Sequence, residues 1–288
     1  MIISDKWKDY ELIDCSAGER LERWGDIILI RPDPQVIWNT PKEHPLWRKA
    51  DARYFRSKTG GGQWEVYHKI PDFWSVGYRE LRFNIKTMGF KHTGLFPEQA
   101  ANWDRIAQII KSAGRELSVL NLFAYTGAAT VSALAAGARV THVDAAKGMV
   151  QWAKENAAIS CVADKKVRWL VDDCKKFVER ETRRGNRYDI IIMDPPSYGR
   201  GPGGEVWKLE DEIYDLVCAC VPILSSDPMA FLINSYTTGL SPSVMKYILS
   251  VTVGKKFNGS VQADEIGLPV SSGKCALPCG AAALWSNK

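Results

Sequence analysis

From about residue 97 the chain switches repeatedly between two hydrophobic spacings. Helical spacing in EQAANWDRIAQIIKSAG predicts a helix that closes at Gly114. An apolar run, Leu117–Phe123, then predicts a buried strand, and AATVSALAAGA a helix. The same alternation gives a strand at Arg139–Asp144, a helix in KGMVQWAKENAAIS, a strand at Lys166–Asp173 and a helix in CKKFVERETRRG. Tyr188–Asp194 is the fourth strand of the series, followed by a helix around Lys208–Leu224 and a strand at Met229–Tyr236. Strands alternating with helices predict right-handed βαβ crossovers and a doubly wound parallel α/β sheet buried on both faces. The last 34 residues read as two strands joined by a polar, glycine-containing loop, a terminal antiparallel hairpin.

The front of the chain has a different texture. Residues 11–85 carry short β-type runs such as Gly25–Arg31 and Gly61–Lys69, broken by turn residues at Arg31–Pro34 and Thr59–Gly62. We expect a small, mostly β domain over residues 1–85 and an α/β domain over 86–288. Six of the eleven tryptophans fall before residue 80. A small domain needs that aromatic mass for its core, although exposed rings there could also stack on bases.

Composition narrows the class without naming a function. Hydrophobic content of 45% and charged content of 25% are ordinary for a globular protein. The first residues lack a signal-peptide pattern and no apolar stretch is long enough to span a bilayer, so a cytoplasmic location is expected. Seven cysteines without zinc-ribbon spacing and four scattered histidines argue for reduced thiols and no metal. The net charge of +5 is permissive of nucleic acid. Basic residues crowd Lys165–Lys166, Lys175–Lys176, Arg180, Arg183, Arg184 and Arg187, either as a phosphate-attracting patch or as the solvated face of one helix.

The ends of the predicted strands carry the candidate chemistry. After the first one comes Asn121-Leu122-Phe123-Ala124-Tyr125-Thr126-Gly127, with one glycine where a dinucleotide enzyme has three. Phe123 and Tyr125 cannot offer the backbone cradle that a pyrophosphate needs, so the turn suits a nucleoside cofactor without one. Asp144 ends the second strand, at a spacing that suits a carboxylate accepting ribose hydroxyls. Asp172 and Asp173 end the third, where a carboxylate could accept from an exocyclic amine. Asp173 is also placed to cap the next helix.

In this order, HTGLFPEQAANW, VLNLFAYTGAATVSALAAGA, VTHVDAAKGMVQWAKENA, LVDDCKKF and YDIIIMDPPSYGRG make the chain resemble a class I S-adenosylmethionine (SAM)-dependent methyltransferase. Within that superfamily it is similar to bacterial large-subunit ribosomal RNA methyltransferases that modify cytosine C5 or guanine. The resemblance spans about residues 85–285. It implies a Rossmann-like, seven-stranded sheet with SAM as cofactor and RNA as partner. It also implies that Asn121 to Gly127, with Phe123, Tyr125 and Thr126, wrap the methionine moiety. Asp144 would hold the ribose, flanked by Ala145 and Lys147, and Asp172 would approach the adenine amine beside Asp173. Phe96, Glu98 and Gln99 lie in the segment that covers the cofactor in relatives. Ala100 stands where an arginine often follows that glutamine, so no salt bridge to the methionine carboxylate is expected from it.

The acceptor side is predicted at Asp194-Pro195-Pro196. The Asp194 carboxylate and the Pro195 carbonyl would hold an amine facing the methyl group, with the prolines stiffening the segment. Tyr198 could stack on a flipped-out base, and the glycine run Gly199–Gly204 could form a closing lid or a plain connector. Cytosine-C5 chemistry needs a thiolate nucleophile. Relatives of that kind carry it at the fifth strand end, which here reads Asn234-Ser235-Tyr236. The expected reaction is therefore methylation of a nitrogen on an RNA base. The competing readings are a protein or small-molecule acceptor, or a non-catalytic SAM-binding module.

Overall fold

The computed structural model describes every residue except 58–60, 201–205, 238, 274 and 288. The chain divides into two compact units, one of residues 2–100 with 267–279, the other chiefly of 101–266 with 280–288.

The front unit contains β1 (Ile2–Ile3), β2 (Tyr10–Ser16), β3 (Glu19–Trp24), β4 (Ile27–Pro32), β5 (Ala52–Arg56), β6 (Gly62–Val66), β7 (Trp74–Tyr78) and β8 (Leu81–Ile85). Strands β2 to β6 pair in chain order, antiparallel except for the parallel β4–β5 contact, and β7–β8 is a separate hairpin. The β2–β3 link is two residues, Ala17 and Gly18, both at positive φ, the backbone that a tight hairpin turn requires. Leu12, Leu21, Trp24 and Leu29 are buried inside. The indole N–H groups of Trp7, Trp38, Trp64 and Trp74 donate to backbone carbonyls of Pro97, Cys15, Met88 and Trp24, and that of Trp47 to the Asp14 carboxylate. These rings are used for packing with their polar edge satisfied.

A charged cluster lies within this unit. Glu22, fully buried, accepts both a 2.5 Å and a 2.7 Å bond from Arg31 and a 2.8 Å bond from the Tyr10 hydroxyl. Arg20 reaches Asp33 at 2.5 Å and Glu22 at 3.7 Å. Burial pushes the Glu22 carboxyl up, yet the Arg31 and Arg20 guanidiniums and the Tyr10 bond hold it below the usual carboxylate range.

The second unit contains α1 (Ala100–Ser112), β9 (Ser118–Leu122), α2 (Ala128–Ala135), β10 (Arg139–Asp144), α3 (Lys147–Ile159), β11 (Val167–Val171), α4 (Cys174–Arg184) and β12 (Ile190–Met193). There follow β13 (Tyr198–Arg200), β14 (Val206–Lys208), α5 (Leu209–Cys220), β15 (Ala230–Ser235), α6 (Pro242–Val251), α7 (Val253–Lys256), β16 (Ser260–Pro269) and β17 (Ala276–Ser286). The large sheet of this unit runs β16-β17-β15-β12-β9-β10-β11, the seven expected strands. Strands β9, β10, β11, β12 and β15 are parallel, and β17 pairs antiparallel to β15. The strand order reverses between β9 and β12, where doubly wound sheets open a crevice at the carboxyl ends of their strands. Leu122 ends β9 and Asp194 follows β12, the two strands on either side of this reversal. Among the described residues no helix is long and apolar enough to cross a membrane.

Tyr198–Arg200 and Val206–Lys208, on either side of the glycine run, pair as a two-stranded ribbon. Alternating Val206 and Lys208 around Trp207 supplies the strand that the glycines conceal. Gly201, Gly203 and Gly204 of the run lie outside the described residues.

Because Glu22 is held low when folded, its pairing stabilises the front unit fully above the unfolded carboxylate value near pH ~4.3 and is lost as pH falls through the lower folded value. Urea unfolding followed by tryptophan fluorescence should show this loss below about pH 4. Glu22→Gln should cost about 3–5 kcal/mol at neutral pH, since it leaves buried guanidinium charge uncompensated.

Candidate active site

The turn after β9 is held in an uncommon backbone conformation. Phe123, Tyr125 and Gly127 all have positive φ, at 54°, 49° and 81°. For the two aromatic residues this costs roughly 1–2 kcal/mol each, so neighbours must hold them there. The holds are visible. The Phe123 N–H donates to the Cys174 thiol at 3.3 Å, the Ala124 N–H to the Val143 carbonyl at 3.1 Å, and the Tyr125 N–H to the Asp144 carboxylate at 2.8 Å. The Asn156 amide donates to the Thr126 carbonyl at 2.8 Å. Gly127 starts α2 against α3 so tightly that an added Cβ would sit 2.6 Å from the Ala153 methyl.

Behind the turn, Asn121 donates to the Thr130 hydroxyl at 2.9 Å, and Thr130 lies 3.0 Å from His142 Nδ1. The fully buried His142 ring is kept neutral by burial, its pKa lowered to about 3. Thr130 can therefore donate to Nδ1 while accepting from Asn121, which locks the Asn121 amide orientation.

Asp144 organises the next strand end. Its two carboxylate oxygens accept from Tyr125 N–H and, at 2.8 Å, from Ala146 N–H. Each oxygen keeps a second acceptor position. Burial raises its pKa and the two backbone donors pull against that rise. Ala145 and Lys147 are exposed beside it, Lys147 at the first position of α3. At the end of β11, Asp172 pairs with Arg180, while Asp173 caps α4 by accepting from Lys176 N–H at 2.9 Å. Val171, directly across from Asp144 in the register, is 52% exposed and offers an apolar surface for a ring. The sequence gives no hint of it, since an apolar residue ending a strand reads as core.

Asp194 follows β12, its N–H 3.5 Å from the Leu122 carbonyl. Pro195 is buried, Pro196 exposed, and Tyr198 on β13 is 53% exposed. Sequence reasoning missed Trp207, whose indole N–H donates to the Pro196 carbonyl at 2.7 Å and whose ring centre is 5.4 Å from that of Phe123. Its position after the glycines made it look like loop.

Phe96 and Gln99 belong to the front unit. Phe96 precedes the 3-10 turn Pro97–Gln99 with its ring 5.2 Å from His92, and Gln99 and Glu98 are buried. Ala100 is fully buried. Among the described residues no group of three or more His, Cys, Asp or Glu side chains could hold a metal ion, and all seven cysteines are unpaired thiols. Cys174 and Cys220 are buried with pKa values pushed up by desolvation, and Ser235 ends β15.

The parallel sheet with its reversed strand order carries a one-glycine turn after β9 and a carboxylate, Asp144, at the end of β10, an arrangement that suits a nucleoside cofactor. The chain matches the profile of the S-adenosylmethionine-dependent methyltransferase family over residues 53–211. It is 34% identical to a SAM-dependent methyltransferase from Agrobacterium tumefaciens, whose crystal structure superposes with a TM-score of 0.90 over 98% of this chain and 91% of that one. The chain belongs to the SAM-dependent methyltransferase family. It is also 30% identical over 192 residues to ribosomal RNA large subunit methyltransferase K/L of Shewanella baltica, and 26% identical over 224 residues to that of Colwellia psychrerythraea. Those matches cover 66% and 76% of this chain, and it spans about a quarter of the length of both relatives (25% and 28%).

The donor set fits SAM. Carboxylate oxygens with spare acceptor positions suit the ribose diol, and a turn with a single glycine suits a cofactor that has no phosphate. Calorimetry should show Asp144→Asn weakening SAM binding by about 10–100-fold, the worth of charge-assisted hydrogen bonds. Wild-type affinity should fall on acidification at a higher pH than an ordinary aspartate would give, because the folded Asp144 pKa is raised.

Proposed function

We propose that the enzyme methylates a nitrogen of an RNA base, with ribosomal RNA as the substrate class. The observation that carries this reading is Asp194-Pro195 at the end of β12, paired beside β9 and its cofactor turn. SAM supplies a methyl group activated on a sulfonium, so the protein needs only to orient and desolvate the acceptor. Asp194 and Pro195 each precede a proline, which drives both toward extended backbone and stiffens the tripeptide. The Asp194 carboxylate and the Pro195 carbonyl accept the two N–H bonds of an amine and turn its lone pair toward the methyl donor. The carboxylate also offsets the positive charge that grows on nitrogen as the bond forms.

Exposed Tyr198 supplies a face for a base removed from its stack. The absence of a cysteine from the end of β15, together with the burial of Cys220, supports nitrogen over cytosine C5. The relatives named as ribosomal RNA methyltransferases support the RNA assignment.

A second reading, a protein or small-molecule acceptor, is favoured by one observation. Much of the basic region is internally paired: Lys166 with Glu116, Arg168 and Arg184 with Glu181, Lys175 with Glu212, and Arg180 with Asp172. This reads as a neutralised helix face rather than a phosphate track.

Incubation with methyl-labelled SAM and total RNA from a strain lacking the gene should label ribosomal RNA. Asp194→Ala should cut transfer by about 100-fold or more while changing SAM affinity less than about threefold. Label appearing in protein or small molecules but not RNA would favour the second reading.

A further inference from the structure

Two short segments at the sheet crevice are joined in a closed circuit. On the cofactor side are Leu122 and Phe123, the end of β9 and the first residue of the left-handed turn. On the acceptor side are Asp194 to Pro196. The Leu122 carbonyl faces the Asp194 N–H at 3.5 Å, which ties the start of the tripeptide. Its end is tied by Trp207, whose indole N–H donates to the Pro196 carbonyl at 2.7 Å. The Trp207 ring in turn packs on Phe123, with centroids 5.4 Å apart and planes tilted by 45°. Both rings also pack against the buried core beneath.

Prolines make this circuit informative. Pro195 and Pro196 have no N–H, so they cannot be fixed by donating to a neighbouring strand. What remains to orient them is their carbonyls and the amides on either side. Successive carbonyls in extended backbone point in widely different directions, so holding the Pro196 carbonyl toward Trp207 determines where the Pro195 carbonyl points. The ribbon that carries Trp207 is itself fixed: Gly199 registers with Trp207, and Leu209 N–H donates to the Ser197 carbonyl at 3.1 Å.

We propose that Trp207 is a positioning residue that couples the cofactor turn to the acceptor tripeptide, so that filling the turn further steadies the Asp194-Pro195 clamp. The role in catalysis rests on the reading of Asp194 as the acceptor clamp, whereas the coupling itself stands on the contacts alone. Phe123 sits at positive φ and is held through its N–H by Cys174, so a ligand that rigidifies the turn also rigidifies the ring on which Trp207 leans.

Amide hydrogen exchange with SAM as the probe tests the coupling without needing an acceptor. In the wild type, SAM should slow exchange by about tenfold, one hydrogen bond's worth, in residues 121–127 and also at Asp194, Ser197 and Leu209. Trp207→Phe keeps a ring but removes the donor. It should retain protection of the turn and lose it at Asp194 and Ser197. Phe123→Leu, which removes the ring contact from the other side, should uncouple the same amides and serves if the first variant does not fold. In the labelling assay Trp207→Phe should lower kcat by about tenfold with the KM for SAM unchanged. Unchanged SAM protection of Asp194 and Ser197 in both variants would overturn the proposal. Full transfer by Asp194→Ala would instead overturn the acceptor reading and leave the exchange result standing.

Discussion

The site depends on the close approach of Gly127 to Ala153. With 2.6 Å available for a Cβ, only glycine lets α2 start this near α3, and only glycine takes its φ of 81° at little cost. That approach sets the direction in which the preceding residues leave β9. It brings the Thr126 carbonyl to Asn156 and the Tyr125 N–H to Asp144. The strained φ values of Phe123 and Tyr125 persist because Cys174, the Val143 carbonyl and Asp144 accept from the amides of Phe123, Ala124 and Tyr125. The turn is thus shaped by helix packing rather than as a glycine-rich anion nest.

The other strand ends attach to that turn. Asp144 bridges it to the start of α3, Cys174 bridges it to α4, and the Leu122 carbonyl bridges it to Asp194. The first two tie the turn to β10 with α3 and to α4, and the third crosses from β9 to β12, where the sheet order reverses, so Asp144 and the Asp194–Pro196 tripeptide are both tethered at the end of β9. SAM chemistry asks little more of the protein than this placement. The methyl group arrives activated, and orientation of the acceptor carries much of the rate.

The helices and parallel strands of the second unit were legible because buried strands read as unbroken apolar runs such as Ile190–Met193, and helices as 3.6-residue periods with caps such as Asp173 and Gly185. Candidate acids were legible because carboxylates stand at strand ends. The Tyr198–Trp207 ribbon was hidden because its glycines signal loop. The positive φ of Phe123 and Tyr125 was hidden because aromatic residues carry no signature of left-handed backbone. Grouping of residues 267–279 with the front unit rests on pairings such as Ser271 with Leu12, a sequence separation that no local pattern encodes. The front tryptophans gave a different lesson. Their abundance left open core packing or base stacking, and the bonded indole N–H groups favour packing.

The most direct measurement is a crystal structure of the enzyme with S-adenosylhomocysteine. The account requires the ribose hydroxyls on Asp144, the adenine over Val171, and the sulfur turned toward Asp194 and Pro195. A ligand whose sulfur faces away from Asp194, or whose ribose lies off Asp144, would contradict it.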